Sequence, residues 1–178
     1  VSAITTTGSS SIDVTALGEF PKLAMSFMMM VGANTGSTGG GFKIIRFIIV
    51  LKLMAWWIKE KLLPEHAVIT KKLSGVELTS ENLQEPAVFL LLYLFIFSLG
   101  TLAFTYMGYP TIDAIFEVVS AQSNVGLSTG ITSAGLEPLG KALLIFHMWI
   151  GRLEIIPVLV LAESILRIRP KKRPKEIL

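Results

Sequence analysis

The sequence predicts an all-α integral membrane protein in which helices are interrupted by polar glycine loops. Hydrophobic residues make up 52% of the chain, charged residues 16%, and mean hydropathy is +0.65, more apolar than a soluble domain normally is. Residues 87–107 contain no charged side chain, and at about 1.5 Å per residue they suffice to cross roughly 30 Å of hydrocarbon. The opening stretch "VSAITTTGSSS" also returns as "VSAQSNVGLST" at residues 119–129.

The first predicted unit covers residues 1–58, a glycine loop followed by an apolar run at residues 23–58. The text "VGANTGSTGGGFK" at residues 31–43 interrupts this run with five glycines in ten residues, each weakening a helix by about 1 kcal/mol relative to Ala. We therefore expect a broken helix. A nucleotide-binding loop would need G-x-x-x-x-G-K-[ST], but Phe42 stands where the Lys should be. A flexible packing point between helices remains an alternative.

Lysine and arginine residues mark the orientation of the chain. They occur in the connection at residues 59–86 and in the tail at residues 167–178, whereas residues 107–139 contain none. By the positive-inside rule, the connection and the tail are cytoplasmic and residues 107–139 are external, which predicts a multi-pass protein of the cell membrane. Because the basic tail directly follows an apolar run, it favours acidic lipid headgroups over nucleic acid.

The second predicted unit covers residues 87–166 and begins with the uncharged helix at residues 87–107. Pro110 and Thr111 suit the start of a short helix, with Asp113 in its first turn. This helix is too short to span, so the loop after it should lie at membrane depth, where non-helical backbone needs protein or a wet cavity beside it. Glu117 is expected to hydrogen-bond the backbone that supports this loop.

The apolar run at residues 139–166 is predicted to be the second inner helix. Arg152 and Glu154 interrupt it, and charges at membrane depth are usually paired. We therefore expect Arg152 to reach Glu154 or loop carbonyls. His147 is expected to be a packed polar group.

The two units are related by an internal repeat. Aligning Gly8 with Gly126 also matches Val, Ser, Ala and Ser residues around them, and "KLAMSFMMMVG" at residues 22–32 aligns with "KALLIFHMWIG" at residues 141–151. Each copy is a polar glycine loop followed by a membrane helix. Repeats in membrane transporters commonly place the functional site between the copies.

Several function classes are disfavoured by composition. The chain has no Cys and two His, which argues against disulfides, thiolate metal sites and His-rich metal sites. No Ser–His pair, Asp pair or His cluster occurs in a membrane segment, so we expect no enzyme activity. A secondary transporter of small solutes is the alternative, since it also uses repeats and broken helices, although its half-helix N-termini typically face an anionic substrate.

Residues 124–128, NVGLS, resemble the TVGYG filter of potassium channels, and residues 6–10, TTGSS, look like a second version. With "FEVVSAQSNVGLSTGIT" at residues 116–132 and "IGRLEIIPVLVL" at residues 150–161, the sequence resembles the Trk/Ktr family of potassium-uptake proteins, in particular its TrkH group. The resemblance covers nearly the whole chain. It implies four helix–pore loop–helix repeats around one pore with pseudo-fourfold symmetry, of which this chain holds the third filter onward and the fourth repeat.

The resemblance also implies roles for individual residues. Backbone carbonyls of the filter would bind K+, the transported ion, with no cofactor; these belong to Thr6, Thr7, Gly8, Ser9, Asn124, Val125, Gly126 and Leu127. A glycine-rich gate beneath the filter, with uncharged polar side chains that can line a wet cavity, would be held by basic residues. The gate residues are Gly32, Asn34, Thr35, Gly36, Ser37, Thr38, Gly39, Gly40, Gly41, Lys43, Arg46 and Arg152, of which Lys43 and Arg46 are expected to share a helical face.

Partners follow from the same resemblance. It implies contacts with membrane lipid, with the remaining repeats of the same protein and with a second copy in a homodimer. It also implies a cytoplasmic ring of nucleotide-binding regulatory subunits of the TrkA or KtrA type, for which the connection at residues 59–86 is a candidate contact.

Overall fold

The structure, a computed structural model, describes residues 1–33, 40–63, 72–73, 76–77, 80–153 and 163. It is mostly helical, as predicted. The elements are α1 (Ser2–Thr5), a 3-10 turn (Val14–Ala16), α2 (Glu19–Val31), α3 (Ile44–Leu62), β1 (Lys72–Leu73), β2 (Val76–Glu77), α4 (Ser80–Tyr106), α5 (Thr111–Gln122) and α6 (Pro138–Leu153).

The short helix α5 occupies the centre of the structure. It packs against α2 of the first unit and against α4 and α6 of the second unit. Phe116 and Val118 are fully buried, and Glu117, Ser120 and Gln122 are buried beside them. A twelve-residue helix enclosed on several sides buries polar as well as apolar side chains, and burial of a polar side chain is costly unless it is hydrogen-bonded, as Glu117 and Gln122 are.

The helix predicted to break does break. Helix α2 ends at Val31 and α3 begins at Ile44. Gly32, next after α2, has φ +70, a conformation that favours glycine and stops a right-handed helix.

Helix α4 is long and apolar enough to cross a membrane. Among the residues that the structure describes, Leu83–Tyr106 is the one helical stretch whose length and hydropathy, 2.4, suit a span. The helix begins at Ser80, whereas the uncharged run in the sequence predicted a start at residue 87. The helix continues through Pro86, which deprives one carbonyl of its backbone partner, so the proline does not mark the boundary.

The connection between the units contains a small departure from the predicted all-α fold. Strands β1 and β2 form an antiparallel pair, with Lys72 opposite Glu77 and Leu73 opposite Val76. Two-residue strands do not alter the helical architecture around α5.

Three groups of buried side chains hold the helices together. One group joins the first unit to α5 and includes Ala3, Val14, Met29 and Phe116. A second lies between α5, α4 and α6, and a third joins α3 to α4 and α6. Because α5 contributes to the first two groups, its end is fixed relative to both units.

Candidate functional site

The second glycine loop (residues 124–127) begins directly after α5. Asn124 has φ +54, and the N–H of Val125 donates to the carbonyl of Ser120 at 2.9 Å. A left-handed residue followed by a hydrogen bond that reaches back five residues is a Schellman-type helix end. Gly126 then has φ +89, so positive φ angles occur at alternate residues.

The first glycine loop (residues 6–9) repeats this backbone. Thr6 has φ +54 and Gly8 has φ +74, and the N–H of Thr7 donates to the carbonyl of Ser2 at 3.2 Å. These are the positions that the sequence repeat aligns with Asn124, Gly126, Val125 and Ser120. The repeat predicted from the sequence is therefore confirmed in the backbone.

The backbones of the two glycine loops touch. A Cβ atom on Gly8 would overlap the carbonyl oxygen of Val125 and lie 3.7 Å from the Cα of Gly126. The side chains of Val125 and Leu127 are buried in the core that joins the two units. The second loop is therefore anchored by its side chains on the side that faces the core, while its backbone faces the first loop.

This arrangement is suited to a cation. Backbone carbonyls can replace the hydration shell of an ion, and neither loop contains a charged residue. The carboxyl end of α5, which carries partial negative charge, is next to the second glycine loop. Both features favour a cation over an anion.

Glu117 holds the segment that follows the second glycine loop. One carboxylate oxygen accepts from the hydroxyl of Ser128 at 2.5 Å and from the backbone N–H of Thr129 at 2.9 Å. The other accepts from the hydroxyl of Thr132 at 2.7 Å. The predicted supporting role of Glu117 is confirmed, and its burial, 3% exposed, is balanced by these donors.

The ends of the glycine-rich segment (residues 32–41) meet each other. The N–H of Phe42 donates to the carbonyl of Met30 at 3.0 Å, and a Cβ atom on Gly41 would lie 3.1 Å from the Cα of Gly32. Only residues without side chains permit this approach at positive φ. Six predicted gate residues lie outside the described residues, namely Asn34, Thr35, Gly36, Ser37, Thr38 and Gly39.

The last part of this segment lies against the end of α5. A Cβ atom on Gly40 would overlap the carbonyl oxygen of Ser123 and approach the Cβ of Asn124 to 3.2 Å. The structure therefore brings Gly40 to the start of the second glycine loop, where the chain leaves α5.

The three basic residues predicted near the gate have different surroundings. Lys43 precedes α3, with φ +71, so the expectation that it shares a helical face with Arg46 is wrong: the helix starts one residue later. Arg46 places its guanidinium carbon 4.5 Å from the ring centroid of Phe89. Arg152 is exposed in the last turn of α6, and Glu154 lies outside the described residues.

A salt bridge between the units was not predicted from the sequence. The Nζ of Lys22 in α2 lies 2.7 Å from Oδ1 of Asp113 in the first turn of α5. The sequence repeat aligns Lys22 with Lys141 and so marks a recurring lysine, but it does not identify Asp113 as the partner of Lys22.

A polar turn follows the first glycine loop. Asp13 accepts from the hydroxyl of Thr15 at 2.7 Å and from its backbone N–H at 2.9 Å. These hydrogen bonds lower the pKa of Asp13 from its ordinary value.

Comparison with known proteins assigns the family. A family model described as "TrkH: Cation transport protein" matches residues 1–168. The chain belongs to the TrkH family. A similar protein is an uncharacterized cation transporter from Methanocaldococcus jannaschii, 42% identical over 161 residues, which cover 90% of this chain and 34% of that protein.

Potassium-uptake proteins are also among the TrkH-family relatives. The Trk system potassium uptake protein TrkH of Escherichia coli K12 is 30% identical over 164 residues, covering 90% of this chain and 34% of that protein. The crystal structure of the potassium transporter TrkH from Vibrio parahaemolyticus matches with a TM-score of 0.78 at 28% identity, over 89% of this chain and 34% of that one. The chain spans about a third of the length of these TrkH relatives.

Proposed function

We propose that the chain contributes two carbonyl-lined loops to a potassium pathway through a cell membrane, as part of the pore-forming subunit of a Trk/Ktr-like system. The observation that carries this proposal is the contact between two glycine loops with positive φ at equivalent positions. Relatives named as potassium uptake proteins support K+ as the transported ion.

The proposed pathway needs further units around it. Lys22 is paired with Asp113, whereas the equivalent Lys141 is exposed and donates to a backbone carbonyl in its own loop. Met29 is fully buried against α5, whereas the equivalent Met148 is 40% exposed. The second unit thus presents the same kind of surface that the first unit uses to bind α5. This supports pseudo-fourfold packing of four such units.

The glycine-rich segment is the proposed gate. Gly40, among its last described residues, contacts the start of the second glycine loop. A movement of the segment would therefore change the backbone position where ions leave that loop. We assign Lys43, Arg46 and Arg152 to this region as basic residues that hold or flank the segment.

Large apolar side chains on α4 favour contact with lipid. Leu91, Phe95, Leu99 and Leu102 are more than half exposed, and their spacing of three to four residues places them on one helical face. A homodimer and cytoplasmic nucleotide-binding subunits of the TrkA or KtrA type complete the proposed assembly.

Uptake of the tracer Rb+ by liposomes containing the whole protein tests the function. We expect uptake that K+ inhibits more strongly than Na+, without competition by organic solutes. Saturable uptake of an organic solute, with no Rb+ uptake, would instead identify a secondary transporter.

Gly126→Ser should lower the preference for K+ over Na+. A side chain in this left-handed conformation is strained by about 1–2 kcal/mol, enough to reduce the preference up to about tenfold. Gly108→Ser is the matched control, because Gly108 has φ +91 with open space around it but lies outside both glycine loops. Equal permeability ratios in parent and Gly126→Ser would remove Gly126 from the pathway.

The proposed orientation predicts where introduced cysteines react. The chain has no native Cys, so Lys71→Cys and Ser133→Cys each give a single thiol. An impermeant thiol reagent added to intact cells should label Ser133→Cys and leave Lys71→Cys unlabelled until the cells are opened. The reverse pattern would invert the orientation.

A further inference from the structure

A buried polar network joins α4, α5 and α6 at the end of α5. The hydroxyl of Tyr93 and that of Ser123 are 2.9 Å apart, and Nε2 of Gln122 donates to the carbonyl of Tyr93 at 3.1 Å. Nδ1 of His147 lies 3.2 Å from Oε1 of Gln122 and is the donor, because an amide oxygen only accepts. All four residues are at most 2% exposed.

The network ends where the second glycine loop begins. Ser123 directly precedes Asn124, whose φ of +54 turns the chain out of α5. The hydroxyl of Ser123 is held by Tyr93 on one side, and its carbonyl is covered by Gly40 on the other. The start of the loop is therefore held by α4 and by the glycine-rich segment together.

Tyr93 is itself held by a stack of aromatic rings. Its ring centroid lies 6.4 Å from that of Phe89, and Phe89 lies 5.8 Å from Phe42, which follows Gly41 in the chain. All three rings are at most 3% exposed. Packed rings of this kind restrict the position of the Tyr93 hydroxyl to a narrow range.

The His–Gln–Tyr arrangement is not required by every unit of the repeat. The positions equivalent to Gln122, Ser123 and His147 are occupied in the first unit by Ile4, Thr5 and Met28. Ile4 and Met28 cannot form the corresponding hydrogen bonds.

We propose that Tyr93, together with Gln122 and His147, positions Ser123 and Asn124 and thereby sets the K+ over Na+ preference of the second glycine loop. This inference rests on the proposed function. Hydrogen-bonded polar networks in a low-dielectric interior hold their members in one geometry. The binding of an ion whose hydration shell is replaced by carbonyl oxygens depends on the positions of those oxygens. Tyr93 is a positioning residue, since it acts on the loop through Ser123.

The test uses the whole protein in liposomes and compares Tyr93→Phe, Ser123→Ala and the double variant. Each single change leaves one buried hydroxyl without its partner, and we expect the K+/Na+ permeability ratio to fall about two- to tenfold. The double variant removes both hydroxyls and should lie closer to the parent than the two single effects combined predict. Tyr106→Phe is the matched control, because Tyr106 is 94% exposed at the end of the same helix.

The possible outcomes distinguish a failure of this inference from a failure of the proposed potassium pathway. A parent protein without K+ preference would overturn the proposed function itself. If the parent is selective and Tyr93→Phe and Ser123→Ala lower only the melting temperature, with permeability ratios equal to that of Tyr106→Phe, the network is purely structural and the inference fails. Single effects that simply add in the double variant would also contradict it.

Discussion

Replacing Arg152 by Ala is expected to raise Rb+ uptake by about ten- to hundredfold, because in the proposed gate Arg152 holds the closed state through a charged hydrogen bond. Loss of such a bond from the closed state alone is worth about 1.5–3 kcal/mol. Arg152 adjoins Gly151, where a Cβ atom would overlap the carbonyl oxygen of Gln122. Gly40 lies against the next residue, Ser123. The backbone of Gly151, next to Arg152, and the end of the glycine-rich segment therefore meet the same end of α5.

Deleting residues 36–38 should have the same direction of effect, since it shortens the proposed obstruction and leaves both glycine loops intact. The K+/Na+ ratio should largely survive in both variants. Uptake is measured in liposomes with and without the proposed cytoplasmic regulatory subunits. Lys59→Ala, compared in the liposomes that lack those subunits because residue 59 belongs to their candidate contact, is the control for Arg152→Ala: it removes one positive charge from an exposed position at the end of α3.

Variants that insert and fold normally yet conduct no faster than Lys59→Ala would contradict the gate. The glycine-rich segment would then be a structural interruption of the helix. Gly40 would remain a packing contact of the second glycine loop.

Glu117→Ala is expected to abolish selective uptake, with a loss of at least about a hundredfold. The substitution leaves the buried N–H of Thr129, the half-buried hydroxyl of Ser128 and the exposed hydroxyl of Thr132 without their acceptor. Leaving the buried N–H unpaired costs about 1–3 kcal/mol. The segment after the second glycine loop should then lose its fixed position. Rb+ uptake and the K+/Na+ ratio are both measured.

Glu117→Gln gives a graded comparison. One amide oxygen can still accept from the N–H of Thr129, while the charge is lost, so we expect an effect between those of the parent and Glu117→Ala. Glu137→Gln, at an exposed position before α6, controls for the same chemical change. If Glu117→Ala folds and retains parental selectivity, the carboxylate does not support the loop.

Local signals in the chain predicted many of the described elements. The uncharged run at residues 87–107, Pro110 before α5 and the five glycines after α2 each act on the backbone or on its transfer from water within a few residues. The aligned glycines likewise predicted two similar loops, because positive φ is a local preference of Gly. Tertiary context moved the start of α4 to Ser80 and placed Lys43 outside α3.

The site depended on contacts between distant residues. Neither Lys22 with Asp113 nor Tyr93 with Ser123 is adjacent in sequence, and no periodic pattern pairs them. The resemblance assigned Arg46 to the gate region, and only the tertiary structure showed that its guanidinium lies over the ring of Phe89 in another helix.

Hydropathy, charge and glycine placement were sufficient to indicate a membrane protein of repeated loops and helices, because each acts through the local backbone or through transfer from water. Which loop touches which, and which buried polar groups find partners, was decided only when α5 was enclosed by α2, α4 and α6. The low dielectric there makes a buried polar group costly unless it finds a specific partner. That requirement selects contacts across the fold, and it has no counterpart in the local sequence.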